Sequence, residues 1–514
     1  VAGGPGGRAA PVVSRSGCSI LSRGSGTGRA ARRALAESVL MARLINVSNR
    51  VPLAKTAAPG GLAVGVLAAM RARGGLWFGW NGETSSQEPG EPEITSRDSL
   101  SYATIPLPQT LYERYYSGFS NGTLWPLFHY FLAGFRYEDQ EYAAYQQANA
   151  LFASRLSPLL APGDLIWVHD YHLIPLAEKL RAQGARQPIG FFLHIPFPHF
   201  EVLRALPPFA ELLRALLAYD LIGFQTETDR EGFLAAARIV LGAEAVGEDG
   251  AVSGDARTTR TGVYPIGVDV DGIAHSAGKA SGSAPVQRMM QSLVGRRLIV
   301  GVDRLDHSKG LLERFQAYRQ FLESYPEQIG QVTFLQIAPL GRQKVQAYTQ
   351  IRDALEQSSG RTNGRFADAD WTPIRYLNRN FPHATLMGFL RAAQVCLVTA
   401  LRDGMNLVAK EFIAAQDPDD PGVLVLSNRA GAACELTEAL LINPYDTKGI
   451  ARAIQRALTM PLAERRARHA TSLATLREND IHRWHTRFID DLQAARARSP
   501  SRRGAEPTEL SARH

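Results

Sequence analysis

The stretch "YPIGVDVDGIA", residues 264–274, lies where one series of strand and helix patterns ends and a second begins, so its reading decides the architecture. Before it come short runs rich in β-branched and aromatic residues: "RLINVS" (43–48), "DLIWVHD" (164–170), "IGFFLHI" (189–195) and "DLIGFQT" (220–226). Between them stand stretches with helical spacing: "LAVGVLAAMRAR" (62–73), "LIPLAEKLRAQ" stopped by Gly184, and "FAELLRALLA" (209–218). After it the alternation restarts with "RRLIVGV" (296–302), "VTFLQIA" (332–338), "PIRYLN" (373–378), "VCLVTA" (395–400), "GVLVLS" (422–427) and "ALLINP" (439–444). Runs apolar on both faces suit parallel strands covered by helices on each side. The expectation is an α/β chain with two doubly wound, Rossmann-like sheets whose carboxyl ends face one cleft. In this reading "VYPIGV" is the strand leading from the first sheet towards the second, and Asp269 to Gly272 form a polar turn after it. A last helix near 479–495, "ENDIHRWHTRFIDDLQA", has the apolar spacing of a docked helix.

Length and composition permit this. The 514 residues suggest about two to four domains. With 45% hydrophobic and 21% charged residues the chain reads as an ordinary globular protein, and no uninterrupted apolar run is long enough for a membrane helix. The three cysteines, Cys18, Cys396 and Cys434, show neither a CxxC pair nor zinc-site spacing, which points to a reducing, cytoplasmic setting. The net charge of +8 sits in the tails. Residues 1–40 hold six arginines against Glu37, residues 494–514 hold five against Glu506 and Glu509, and the body between them is neutral. A nucleic-acid-binding field is therefore not expected. Residues 1–40, rich in Gly, Ala, Arg and Ser, read as a disordered extension ahead of Met41, with a transit peptide as the alternative.

Several loops carry residues suited to a phosphorylated sugar ligand. Asp269-Val270-Asp271-Gly272 matches two signatures: a phosphatase aspartate pair, and the Asp-x-Asp by which metal-dependent sugar transfer holds Mn²⁺ or Mg²⁺. Ile273 stands where the phosphatase signature wants Thr or Val. In "GVDRLDHSKG" (301–310), Arg304 and Lys309 share one loop after a strand, where two fixed cations suit a diphosphate. In "LRDGMNLVAKEF" (401–412), Asp403 and Gly404 precede a helix whose first N–H groups can meet sugar hydroxyls, and Glu411 can accept both hydroxyls of a ribose. "VSNR" ends a strand on Arg50, and "PGGLAVG" offers Gly60 and Gly61 without the GxGxxG of a dinucleotide site. "WVHDYH" leaves Asp170, "FFLHIPFPHFE" leaves His194, and "YYSGFSNGTLWP" supplies Tyr116 and Trp125. A single histidine in such a place is more often structural.

In this order, the motifs resemble the trehalose-6-phosphate synthases, retaining glycosyltransferases of the GT-B fold. The resemblance covers about residues 41–493 through "GGLWFGWNGET", "WVHDYHLIPLAEKLR", "GFFLHIPFP", "RLDHSKGL", "LRDGMNLVAKEF" and "GVLVLSNRAGAACEL". It implies an acceptor domain at 41–267, completed by the helix at 479–493, a nucleotide-sugar domain at 268–478, and a basic tail at 494–514. It implies that Arg50, Tyr116, Asp170 and Arg342 hold glucose 6-phosphate, with Trp125 beside it. Gly60, Gly61, Arg304, Lys309, Phe381 and the run Leu407, Val408, Ala409, Lys410, Glu411 are implied to hold UDP-glucose, with His194 and Asp403 near the donor sugar. Arg304, Lys309, His194 and Asp403 are the implied catalytic set. No metal, cofactor, nucleic acid or membrane is implied, and family members often form homo-oligomers, here a dimer or tetramer. His307 stands where the family has Tyr, and Leu340-Gly341 where it has polar residues; neither change removes a charged contact.

The implied reaction moves glucose from UDP-glucose to glucose 6-phosphate with retention, by same-face attack in which the departing phosphate takes the acceptor's proton. Arg304 and Lys309 would stabilise the negative charge on the β-phosphate without a metal, which leaves Asp269 to Gly272 as a domain junction. Three other readings stay open at this point: glucosylglycerol-phosphate synthesis, use of GDP- or ADP-glucose in the same fold, and a non-catalytic sugar-phosphate sensor.

Overall fold

The computed structural model describes residues 43–52, 66–67, 70, 74–97, 100–254, 257–339 and 346–498. The extension at 1–40, Gly60, Gly61, Arg342 and most of the helical pattern at 62–73 lie outside them. Among the described residues, β1 (Leu44–Arg50), β2 (Gly75–Ser85), β3 (Glu93–Arg97), β4 (Leu100–Pro108), β5 (Leu165–His169), β6 (Ile189–Phe192), β7 (Leu221–Phe224), β8 (Val252–Ser253) and β9 (Thr258–Val263) form one sheet. Its order is β3-β4-β2-β1-β5-β6-β7-β9-β8. Only the edge strands β3 and β8 run antiparallel to their neighbours. The second sheet, β10 (Arg297–Val302), β11 (Val332–Ile337), β12 (Ile374–Leu377), β13 (Val395–Val398), β14 (Val423–Ser427) and β15 (Leu440–Ile442), has the order β12-β11-β10-β13-β14-β15. It is parallel throughout.

Burial accounts for the apolar runs. Ile45, Val47, Ile166, Val168, Ile189 and Phe191 belong to one core, and Ile299, Val395, Leu397, Val423 and Val425 to another. The 3.6-residue spacing of Leu311–Ser324 sends Leu311, Phe315, Tyr318 and Phe321 into the second core. No helix among the described residues is long and apolar enough to cross a membrane.

The crossing between the sheets differs from the expected strand and turn. β9 ends at Val263, and residues 264–268 are in no strand. The Tyr264 N–H still donates to Phe224 O at 2.8 Å, but Pro265 has no N–H to carry the ladder on, and the peptide groups of Ile266 find side-chain partners instead. Ile266 N donates to Gln225 Oε1 at 3.0 Å, and Ile266 O accepts from Lys410 Nζ at 2.8 Å. Asp269 is not in a turn; it caps the helix Val270–Ser281 by accepting from Gly272 N at 3.0 Å. Asp271 is solvated, its side chain 87% exposed.

The helix Ile481–Arg498 returns to the first sheet. Its Phe488 ring stacks on Trp167 at 4.7 Å and its Trp484 ring lies 4.8 Å away. Gly190 and Gly223 make room: a Cβ at either would come within 2.8 Å of the Phe488 ring.

Candidate active site

In each sheet the chain builds outward from a central strand and then resumes on that strand's other side. The crevices created by this reversal lie beyond the carboxyl ends of β1 and β5, and of β10 and β13. Arg50 is the last residue of β1 and Asp170 follows β5. The loop 303–309 follows β10, and the loop 399–406 follows β13.

On the second-sheet side, Lys309 Nζ lies 2.6 Å from Asp403 Oδ2, each side chain 12% exposed. Asn406 Nδ2 donates to the same oxygen at 3.1 Å. Asn406 takes a left-handed conformation, φ 74°, and its Oδ1 accepts from Ala409 N at 3.2 Å, capping the helix Leu407–Ala415. The N–H groups of Leu407 and Val408, in the first turn, have no intrahelical acceptor and point out of the helix start. Arg304 is exposed on the neighbouring loop, with no described partner. Beneath that loop, the fully buried Arg314 donates to Asp303 at 2.5 Å, Gln336 at 2.8 Å and Thr399 at 2.9 Å, which fixes the root of the loop. Burial pushes the Asp303 carboxyl up, and Arg314 opposes that shift.

Glu411 lies 3.3 Å from His383 Nε2, and this hydrogen bond raises the His383 pKa. Phe381 packs edge-on against Phe389, with the Arg379 guanidinium 4.6 Å over its ring. Lys410 departs from the expected pattern. Its ammonium is wholly buried, pairing with Glu435 at 2.5 Å and with Ile266 O, so only its backbone is left for a ligand at the helix start.

On the first-sheet side, Tyr116 lies in a wide, π-type helical segment, Tyr112–Leu124, a form that recurs at functional sites. Its ring stacks with Tyr112 at 5.4 Å and with His172 at 5.6 Å, and meets Trp80 at 5.8 Å. The Arg50 guanidinium lies 5.7 Å from the Trp80 ring. Trp80 was not among the residues the motifs singled out, although it stands in "GGLWFGWNGET" at the partner position to Arg50 in β2. Asp170 adopts φ 76° and ψ 165°, a region a non-glycine residue occupies only when its surroundings force it. The strained backbone brings its Oδ1 to accept from His194 N at 3.2 Å.

The two sides meet. Trp125 Nε1 donates to Asp306 Oδ1 at 3.3 Å, and the Phe131 ring stacks on His307 at 4.5 Å and 12°. His307, where the resemblance led to the expectation of a tyrosine, thus offers a flat ring to the other side. Arg402, absent from the expected set, donates to Phe128 O at 3.1 Å and Phe197 O at 2.8 Å, and covers the Tyr130 ring at 3.9 Å. Gly404 abuts His194: a Cβ there would sit 2.1 Å from His194 O. Burial lowers the His194 pKa to about 3, so its ring is neutral at ordinary pH.

The structure therefore brings together Arg50, Tyr116 and Asp170 on one side, and Lys309, Asp403, Leu407 and Val408 on the other, with Trp125, His194 and Gly404 at the junction. Two Rossmann-like sheets with such a site between them define a glycosyltransferase of the GT-B fold. The chain belongs to Glycosyltransferase family 20, whose sequence profile matches residues 38–494. It is 49% identical over 465 residues to the trehalose-6-phosphate synthase of Klebsiella pneumoniae subsp. pneumoniae, spanning 90% of this chain and 98% of that one. Among solved structures it is similar to the UDP-forming α,α-trehalose-phosphate synthase of Burkholderia xenovorans in complex with glucose 6-phosphate. The identity is 50% and the TM-score 0.84, covering 88% of this chain and 100% of that one. It is also similar to the E. coli protein bound with UDP-2-fluoro glucose, at 46% identity and a TM-score of 0.81, covering 88% and 99% of the two chains.

Proposed function

We propose that this chain transfers glucose from UDP-glucose to glucose 6-phosphate with retention at the anomeric carbon, giving α,α-trehalose 6-phosphate and UDP. The observation that carries the reading is the meeting of two differently equipped switch points in one cleft. One bears Lys309 and Arg304 beside a helix start, which suits a diphosphate. The other bears Arg50 and Asp170 beside Tyr116 and Trp80, a cation, an acceptor and aromatic walls that suit a sugar phosphate. The relatives carry the matching names, and two of the solved ones hold glucose 6-phosphate and a UDP-glucose analogue.

In the reaction, Arg304 and Lys309 stabilise charge developing on the β-phosphate as the bond to glucose C1 breaks. The N–H groups of Leu407 and Val408 add fixed dipoles of the same sign. Glu411 accepts from the ribose, Phe381 borders the nucleotide, and Gly60 and Gly61 approach the donor. Arg50, Tyr116, Asp170, Trp125 and Arg342 orient the acceptor so that its anomeric hydroxyl attacks from the face the phosphate leaves. That phosphate oxygen takes the hydroxyl proton, because burial lowers the His194 pKa to about 3 and leaves its ring too weak a base to compete. His194 and Asp403 bind the donor glucose. Residues 41–267 with 479–493 form the acceptor domain and 268–478 the donor domain. The enzyme works in the cytoplasm as a homo-oligomer, where its free Cys396 and Cys434 stay reduced.

The test is a substrate panel of UDP-, GDP- and ADP-glucose against glucose 6-phosphate and glycerol 3-phosphate, read as nucleoside diphosphate release. Release confined to UDP-glucose with glucose 6-phosphate is expected. Faster release with glycerol 3-phosphate, or none with any pair, overturns the reading.

A further inference from the structure

His169 ends β5 with no solvent exposure, and both of its ring nitrogens are engaged. Its Nε2 lies 3.3 Å from Asn46 Oδ1, and its Nδ1 lies 3.2 Å from His194 Nε2. Asn46 is in β1, adjacent to β5, and is itself wholly buried. The line Asn46, His169, His194 thus runs from the interior of the first sheet to the junction of the cleft. Trp167, Phe192 and Trp484 wall it: the Trp167 ring is 4.6 Å from His169, and the Phe192 ring is 4.6 Å from His194. Among the described residues no carboxylate hydrogen-bonds either imidazole. Burial lowers the pKa of both rings, so each is neutral, with one N–H and one lone pair.

An amide oxygen only accepts, so it draws the His169 proton to Nε2. That leaves a lone pair at His169 Nδ1, and a lone pair there requires an N–H at His194 Nε2. The remaining nitrogen of His194, Nδ1, is then bare.

We propose that His169 is a positioning residue for the transfer reaction: it passes the orientation of the Asn46 amide to His194 and holds that ring in the Nε2–H tautomer. His194 thereby meets the donor sugar with a hydrogen-bond acceptor at Nδ1, and on its other side donates Nε2–H to His169 Nδ1, which fixes the ring plane. The proposal rests on the reading above that places His194 at the donor glucose.

Two measurements test it on the full chain. Nitrogen-15-labelled histidine, read by long-range proton–nitrogen correlation and assigned through the signals lost in His194→Ala and His169→Gln, reports the tautomer. A single His194 form protonated at Nε2 is expected; an Nδ1–H form or an averaged pair overturns the proposal. The second is a double-mutant cycle in kcat/KM for UDP-glucose. His169→Phe should lose about tenfold to a hundredfold, as outer-shell partners of a site commonly do. Binding of UDP alone, which lacks the sugar, should stay unchanged. In a His194→Ala background the same substitution should cost less than about twofold. Multiplying losses overturn the relay and leave His194's placement standing. Full kcat/KM in His194→Ala alone overturns that placement and the relay with it. His169→Gln, closer in polarity, serves the same cycle should the phenylalanine variant fail to fold.

Discussion

Lys309 Nζ and Asp403 Oδ2 sit 2.6 Å apart, so the cation proposed to face the donor diphosphate is held by a carboxylate before any substrate arrives. The pair links the loop after β10 to the loop after β13 and sets the position of the ammonium. Lys309→Ala should lower kcat by about 10²- to 10³-fold, the scale on which a preorganised transition-state donor acts. The KM for UDP-glucose should move much less. Steady-state UDP release gives both, and an undiminished kcat removes Lys309 from the role.

The same pair makes Asp403 a competitor for the ammonium. Asp403→Asn keeps the shape and removes the charge, so UDP alone should bind severalfold tighter while kcat falls. Calorimetry with UDP checks this; weaker binding in the variant would mean that Asp403 chiefly holds the loop in place.

Gly404 marks where the two sides come into backbone contact. A Cβ there would lie 2.1 Å from His194 O, with both neighbours main chain and unable to yield cheaply. Gly404→Ala should therefore prevent the close approach and reduce kcat/KM at least about a hundredfold, since small misplacements in an oriented site are that costly. Its thermal midpoint should fall by only a few degrees, because each sheet keeps its own core. Scanning calorimetry beside kinetics separates the two effects.

Acid should loosen the fold through its buried histidines. Burial lowers the pKa of His129 to about 4 and of His194 to about 3, and lowers that of His169 as well. Between those values and the ordinary 6.5, the unfolded chain binds protons that the folded chain refuses. Stability is then intact above pH 6.5 and declines as pH falls. His129 alone accounts for up to about 3 kcal/mol at the acid end. Urea midpoints at pH 7.5 and pH 5 measure the decline, and His129→Gln should shrink it.

Lys410 tests the distinction between ligand contact and scaffold. Its ammonium bonds Glu435 and Ile266 O, so Lys410→Met strands a buried carboxylate and should cost about 3–5 kcal/mol of stability. Adding Glu435→Gln should return much of that. Urea unfolding of the single and double variants measures both.

The double winding was legible because burial on both faces leaves unbroken apolar text, as in "VTFLQIA" and "GVLVLS". Boundaries were less so. "IGFFLHI" reads as a strand to Ile195, yet β6 stops at Phe192, because the His194 N–H is given to Asp170 rather than to a ladder. "GGLWFGWNGET" hid β2 and Trp80 behind glycines that resemble a turn. Lys309 and Asp403 stood out in their loops. Arg402 did not, since its importance comes from carbonyls at Phe128 and Phe197, more than 200 residues earlier in the chain. His169 was invisible for a related reason: a histidine at a strand end has meaning only once its two neighbours are known.

The return of the helix Ile481–Arg498 to the first sheet imposes an order of events on biosynthesis. Tyr264 Oη reaches Asp491 Oδ2 at 2.7 Å across 227 residues, and the Phe488 ring fills the groove left by Gly190 and Gly223. The second sheet is complete in the chain by Ile442, so it can close while the ribosome is still at work. The first sheet, though begun earlier, keeps Trp167 and Phe192 uncovered until the last helix emerges. The half made first is the half finished last, a long-range closure that slows folding and makes that aromatic groove the part of the nascent chain most in need of protection.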